Sequence, residues 1–149
     1  MLRALLLVLG LVAVVPNVKA GDAIGISTVD VVRVYDGDTL TVNLTGLYPV
    51  FGRELGVRVI GINTPEMSSS CSTPELKAAE KYKATLARDT VRDMVAKGKI
   101  LVMLDLQRDK YFRLLARVEV DGVDVGETLI AKGLADRYDG GTKTSWCGR

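Results

Sequence analysis

Val57-Arg58-Val59-Ile60-Gly61-Ile62 is the segment that most limits how this chain folds. It has the length of a strand, is almost wholly apolar, and carries one arginine. Pro65 stops it, because proline has no N–H to give to a ladder. A charge inside such a run faces either solvent or a site, so Arg58 is a candidate functional residue from the outset.

The segments around it are of the same kind. Ala23 to Tyr35, rich in Val, Ile and Thr, alternates as a first strand, and Asp36-Gly37 predicts a hairpin turn into a second, Thr39 to Leu44. Thr45 to Gly56 reads as a loop or a frayed hairpin. Beyond Pro65 comes a serine-rich stretch around Cys71, then Ser72-Thr73-Pro74-Glu75, a capping-box helix start with proline in its first turn. The helix runs to Ala96, with Leu76, Ala79, Leu86, Thr90 and Met94 on one face, widened by Ala87 and Val91. Gly98 stands as its C-terminal glycine. Lys99 to Leu106 and Phe112 to Val120 are a fourth and a fifth strand, Asp121-Gly122 a turn, and Val125 to Lys132 a second helix ended by Gly133. A turn-rich tail runs on to Arg149.

Three strands, a helix, two strands and a helix make an α+β, mainly β, fold. Five short strands with a helix after the third match the five-stranded Greek-key barrel called the OB-fold. At 149 residues there is room for one such domain and not for two. Met1 to Ala20 reads as a signal peptide: Arg3 gives a positive start, Leu5 to Val15 is apolar, and Val18-Lys19-Ala20 offers a cleavage site. An uncleaved N-terminal anchor is the alternative. The expected domain is 21–149, in a protein exported to a periplasm or beyond the cell. Removing the leader takes Arg3 and Lys19 away and leaves 18 basic against 18 acidic side chains, so +2 becomes zero. Any positive charge meant for a polyanion must then be placed locally by the fold. In an exported protein the pair Cys71 and Cys147 predicts a disulfide; two free thiols or a half-built metal site are the alternatives, the last a poor zinc site without histidine.

The absence of histidine excludes imidazole-based mechanisms and leaves carboxylate, metal and arginine chemistry. Asp36-Gly37-Asp38-Thr39 sets two carboxylates at a turn, Thr64-Pro65-Glu66 brings one to the end of the Arg58 strand, and Asp109-Lys110-Tyr111-Phe112-Arg113 opens the fifth strand with an arginine. Taken singly, these read as a solvated turn, an exposed glutamate and a surface ion pair. In this order, Val34-Tyr35-Asp36-Gly37-Asp38-Thr39, Val57 to Glu66 and Asp109 to Ala116 resemble the staphylococcal nuclease (thermonuclease) family, and Gly133-Leu134-Ala135 with Tyr138 is similar to its last helix and tail.

The resemblance implies an OB-fold and a calcium-dependent endonuclease that hydrolyses single- and double-stranded DNA and RNA with low sequence preference, leaving 3′-phosphate ends. It implies Asp38 as a calcium ligand, Thr64 as a ligand through its carbonyl, and Glu66 as the contact of the attacking water. Arg58 and Arg113 would bind the scissile phosphate, and Tyr111 and Tyr138 the nucleotide. A monomer with no stable protein partner is expected. Two positions depart from the family pattern. Asn63 stands where a second metal-binding aspartate is usual, which removes a negative charge from the site. Phe112 replaces a glycine at a turn where positive φ is wanted, with consequences for the aim of Arg113. The rival readings are a non-catalytic OB-fold module for single-stranded nucleic acid, disfavoured by an aromatic content of 5%, and a degenerate family member.

Overall fold

The computed structural model describes residues 29–149. The expected signal peptide and the start of the first expected strand lie outside the described residues. In chain order the elements are β1 (Val29–Val34), β2 (Thr39–Leu44), α1 (Pro49–Gly52), β3 (Leu55–Val59), β4 (Ile62–Asn63), α2 (Pro74–Lys97), β5 (Leu101–Arg108), β6 (Leu114–Val120), β7 (Val123–Asp124), α3 (Val125–Ala131) and β8 (Asp136–Arg137).

Alternation decides the sheet. In β2, Leu40, Val42 and Leu44 are buried while Thr39, Thr41 and Asn43 lie on the other face. The same period buries Val57 and Val59 in β3, and Ala116, Val118 and Val120 in β6. These strands form one curled sheet in the order β1-β2-β3-β6-β5, with β3 and β6 parallel and β7 added to β6. That order is the OB-fold's, and the curl wraps the buried faces around a core that also takes in Met103, Val125 and Leu129. The short strands β4 and β8 pair separately and bring the C-terminal tail back beside the end of β3.

Several local expectations change. The segment Thr45 to Gly56 contains a turn of helix, α1, started by Pro49 in its first turn. The third expected strand breaks at Gly61, whose φ is +80°, so that Ile62–Asn63 pairs elsewhere. On α2 the fully buried positions are Glu80, Ala84, Ala87 and Val91, while Ala79 and Leu86 are exposed. The packed face is thus rotated from the apolar stripe, because the helix approaches the sheet through small side chains. Gly98 does come after the helix, but in extended backbone; an added Cβ would lie 2.1 Å from Val120 Cγ1, so close approach and not helix-end geometry requires glycine. Thr73 caps the start as expected, its hydroxyl accepting from the N–H of Leu76.

The disulfide forms: Cys71 and Cys147 are bonded, with Cα atoms 5.6 Å apart, across a separation of 76 residues. Loop-closure entropy assigns a cross-link of that span about 4 kcal/mol.

The hairpin expected at Asp36-Gly37 is a wider turn. Tyr35 N–H donates to the Thr39 carbonyl at 2.9 Å, and the ladder closes at Val34 and Leu40. Gly37 is needed for contact: a Cβ there would lie 2.8 Å from both Ala87 Cβ and Thr64 Cγ2. Gly37→Ala should therefore push α2 and the Thr64 loop away from the turn and destabilise the protein by about 1–3 kcal/mol, read from urea unfolding. An unchanged midpoint would mean the turn has room that the packing denies.

Candidate active site

Strand register assembles the site. Arg58 lies between two residues that face the core, so its own side chain leaves on the opposite face. There Thr39 of β2 is its partner on one side and Leu115 of β6 on the other. Arg113, two residues before Leu115, leaves on the same face, and Gly56 gives its stem room: a Cβ at 56 would stand 3.2 Å from Arg113 Cγ. Asp38, in the turn immediately before β2, is 1% exposed. It accepts from Arg58 Nη1 at 2.5 Å, from the Thr39 hydroxyl at 3.1 Å and from the Thr64 N–H at 3.0 Å.

Glu66 arrives on the loop after β4. Thr64 and Pro65 are buried, and the N–H of Glu66 donates to Glu80 Oε1 at 3.2 Å. Glu80 is itself 5% exposed, on the packed face of α2, and also accepts from the Ser69 hydroxyl. This buried carboxylate holds the Glu66 loop, and nothing in the residue pattern of α2 signals it. A cleft of about 610 Å³ lies in front, lined among others by Arg58, Glu66, Arg113, Tyr111, Tyr138 and Lys143. Every expected catalytic and nucleotide-contacting residue thus meets in one place, joined by Lys143, which no sequence motif marks.

Arg113 is aimed by Asp109. That carboxylate accepts from Arg113 Nε at 2.8 Å and from the N–H groups of Arg113 and Tyr111 at 3.0 and 2.8 Å. Partial burial pushes Asp109 up, but these hydrogen bonds outweigh it and hold the carboxyl below the usual range. Phe112 has φ of 63°, the left-handed conformation that glycine adopts without penalty, and its ring is exposed.

A hard cation would find oxygen donors here. Asn63 is 3% exposed, and its Oδ1 is a buried acceptor with no hydrogen-bond partner, an atom that calls for a cation or a donor. Asn63 and Thr64 line a second cavity that shares Glu66 and Lys143 with the cleft, and oxygen donors of this kind suit a hard cation better than a soft one, though position 63 brings an amide in place of a carboxylate. Among the described residues, the histidine, cysteine and acidic side chains gathered tightly enough to hold an ion are Cys71, Glu80 and Cys147. The two sulfurs are bonded to each other, which removes the half-built thiolate site.

Residues 56–145 match the family described as Staphylococcal nuclease homologue. The chain is 38% identical over 107 residues to the SPbeta prophage-derived endonuclease YokF of Bacillus subtilis (strain 168), a match covering 69% of this chain and 31% of that protein. It is 37% identical over 107 residues to Endonuclease YncB of the same organism, covering 69% of this chain and 44% of the relative. The chain therefore spans less than half the length of either relative.

Asp36 sets the electrostatics of the turn. Burial, then the neighbouring charge of Asp38 and, more weakly, that of Glu66, pushes its carboxyl from 3.8 up to about 7. The folded protein binds this proton more tightly than the unfolded chain does. In chelator, stability should fall as pH rises from about 4 to about 7 and level off above. Asp36→Asn should flatten that slope in thermal unfolding measured across pH. A slope unchanged by the substitution would assign the titration to another group.

Proposed function

Because the chain belongs to the staphylococcal nuclease family, we propose that it is an endonuclease that hydrolyses DNA and RNA with low sequence preference, using calcium and leaving 3′-phosphate ends. One observation carries this reading: Arg58, Glu66 and Arg113, from three separated segments, open onto a single cleft. Both curated relatives are endonucleases by name, and each is matched by this chain over less than half its length.

In the proposed reaction the two guanidiniums take the non-bridging oxygens of the scissile phosphate. Arg fits this task because its planar fork matches phosphate oxygens. Each is held in advance, Arg58 by Asp38 and Arg113 by Asp109, so little ordering remains to be done when substrate arrives. Glu66 accepts a proton from water, the water oxygen bonds to phosphorus, and the bond to the 5′-oxygen breaks, that oxygen taking a proton from a solvent water and leaving as a hydroxyl. Calcium held by Asp38, Asn63 and the Thr64 carbonyl would add positive charge where the pentavalent state becomes more negative. Tyr111 and Tyr138, at the edge of the cleft, contact the nucleotide. The disulfide supports the reading of an exported protein, since such bonds persist in oxidising compartments.

The test is cleavage of single-stranded DNA by the protein, with calcium and then with chelator. Calcium-dependent cleavage should fall about 10²–10⁴-fold in Glu66→Ala. Binding without cleavage, indifferent to that substitution, would leave the chain a non-catalytic OB-fold module. Asn63→Asp restores a carboxylate to the oxygen set and should lower the calcium concentration needed for half-maximal cleavage. If that concentration does not move, position 63 is not a ligand.

A further inference from the structure

We propose that Lys143 is a third phosphate-binding cation of this cleft, engaging the nucleic-acid backbone beside Arg58 and Arg113 while releasing Glu66 to water. The inference rests on the endonuclease reading only for the chemical steps after binding.

Lys143 Nζ donates to Glu66 Oε1 at 2.9 Å, and both residues line the cleft that holds the two arginines. It lies in the tail between β8 and the end of the chain, outside any helix or strand. An exposed ion pair contributes only about 0–1 kcal/mol and does not fix a segment of this kind. Its place is set by its neighbours. Cys147 is bonded to Cys71, so the disulfide ties the tail that carries Lys143 to the loop that carries Glu66. Trp146 is 5% exposed, and the Arg149 guanidinium stacks 4.4 Å from its ring centre while pairing with Asp136. Upstream, Tyr138 N–H donates to the Gly61 carbonyl at 2.9 Å and its hydroxyl to the Gly141 carbonyl at 3.0 Å. The tail is anchored on both sides of Lys143, which stands over the cleft.

Among the three ion-paired cations of the cleft, enclosure shows which is freest to change partner. Arg58 and Asp38 are enclosed, with side-chain exposures of 13% and 1%. Arg113 and Asp109 are half enclosed, at 35% and 13%. Lys143 and Glu66 are each 45% exposed, so theirs is the pair that an arriving phosphate reorganises at least cost. An ammonium binds phosphate as a point charge and needs no fixed fork, so Lys143 can exchange the carboxylate for a phosphate oxygen by turning its side chain. The same movement strips the cation from Glu66, leaving its carboxylate to take a proton from water.

The experiment measures binding of a short single-stranded DNA in chelator by fluorescence anisotropy over a range of salt. Loss of one phosphate contact lowers the slope of log affinity against log salt by about 0.7 for a single strand. Lys143→Gln should weaken binding severalfold and lower the slope by that amount, while Lys143→Arg should restore it. Lys97→Gln, which removes an exposed charge that pairs with Asp93 on α2, should leave the slope alone. An unchanged slope in Lys143→Gln, or tighter binding, would overturn the proposal; the latter would make Lys143 a plug on Glu66. Because no cleavage is needed, the two readings fail separately. Binding that depends on Lys143 without cleavage in calcium sinks the endonuclease and leaves this inference, and cleavage by a protein whose binding ignores Lys143 does the reverse.

Discussion

A carboxylate cut off from water must have its charge met by the atoms around it, and Asp38 meets this condition through three separate segments. Arg58 reaches it from β3, Thr64 from the loop after β4, and Thr39 from its own strand. Breaking such a pair from the arginine side would leave an uncompensated buried charge, at a cost of about 3–5 kcal/mol. The interaction that ties β3 and the loop after β4 to Asp38 is therefore also the one that orients Arg58, the first phosphate-binding group of the proposed reaction.

Arg113 and Lys143 are held by carboxylates as well, with decreasing enclosure, and a second buried carboxylate supports the Glu66 loop from behind. Glu80 accepts from the Glu66 N–H and the Ser69 hydroxyl, while Ser69 in turn accepts from the N–H of Cys71. The loop bearing Glu66 is thus hung from α2 at one end and from the disulfide at the other. The side chain of Glu66 stays half exposed while its backbone is fixed, an arrangement suited to the water contact proposed for it.

Arg58 is legible in the sequence because a lone charge in an apolar strand contradicts its surroundings, and the alternation that buries Val57 and Val59 tells which way it leaves. Glu80 and Lys143 are not legible, since a glutamate on a charged helix and a lysine in a polar tail look like solvated surface. Their roles come from tertiary contacts: the rotated packing of α2 in one case and the disulfide in the other. Gly37 is legible as a glycine that matters, but for a different reason. A Gly after Asp signals a hairpin locally, whereas here the glycine is required by Ala87 and Thr64, residues far from it in sequence. The calcium set is legible only through the resemblance, and the unpartnered Asn63 Oδ1 is the structure's own support for it.

Phe112 shows how a departure from the family pattern is absorbed. A side chain in the left-handed region costs about 1–2 kcal/mol relative to glycine, and the exposed ring returns little of it by packing. The turn bears this cost without relaxing, because Asp109 grips it from inside. Its side chain takes two backbone N–H groups and Arg113 Nε, its carbonyl takes the Phe112 N–H, and Arg108 Nη1 donates to the Phe112 carbonyl. Releasing the strain by moving Phe112 to negative φ would break several of these bonds at once, a larger loss than the strain itself. The strain is thus held within the turn, while Asp109 keeps Arg113 at the cleft beside Gly56.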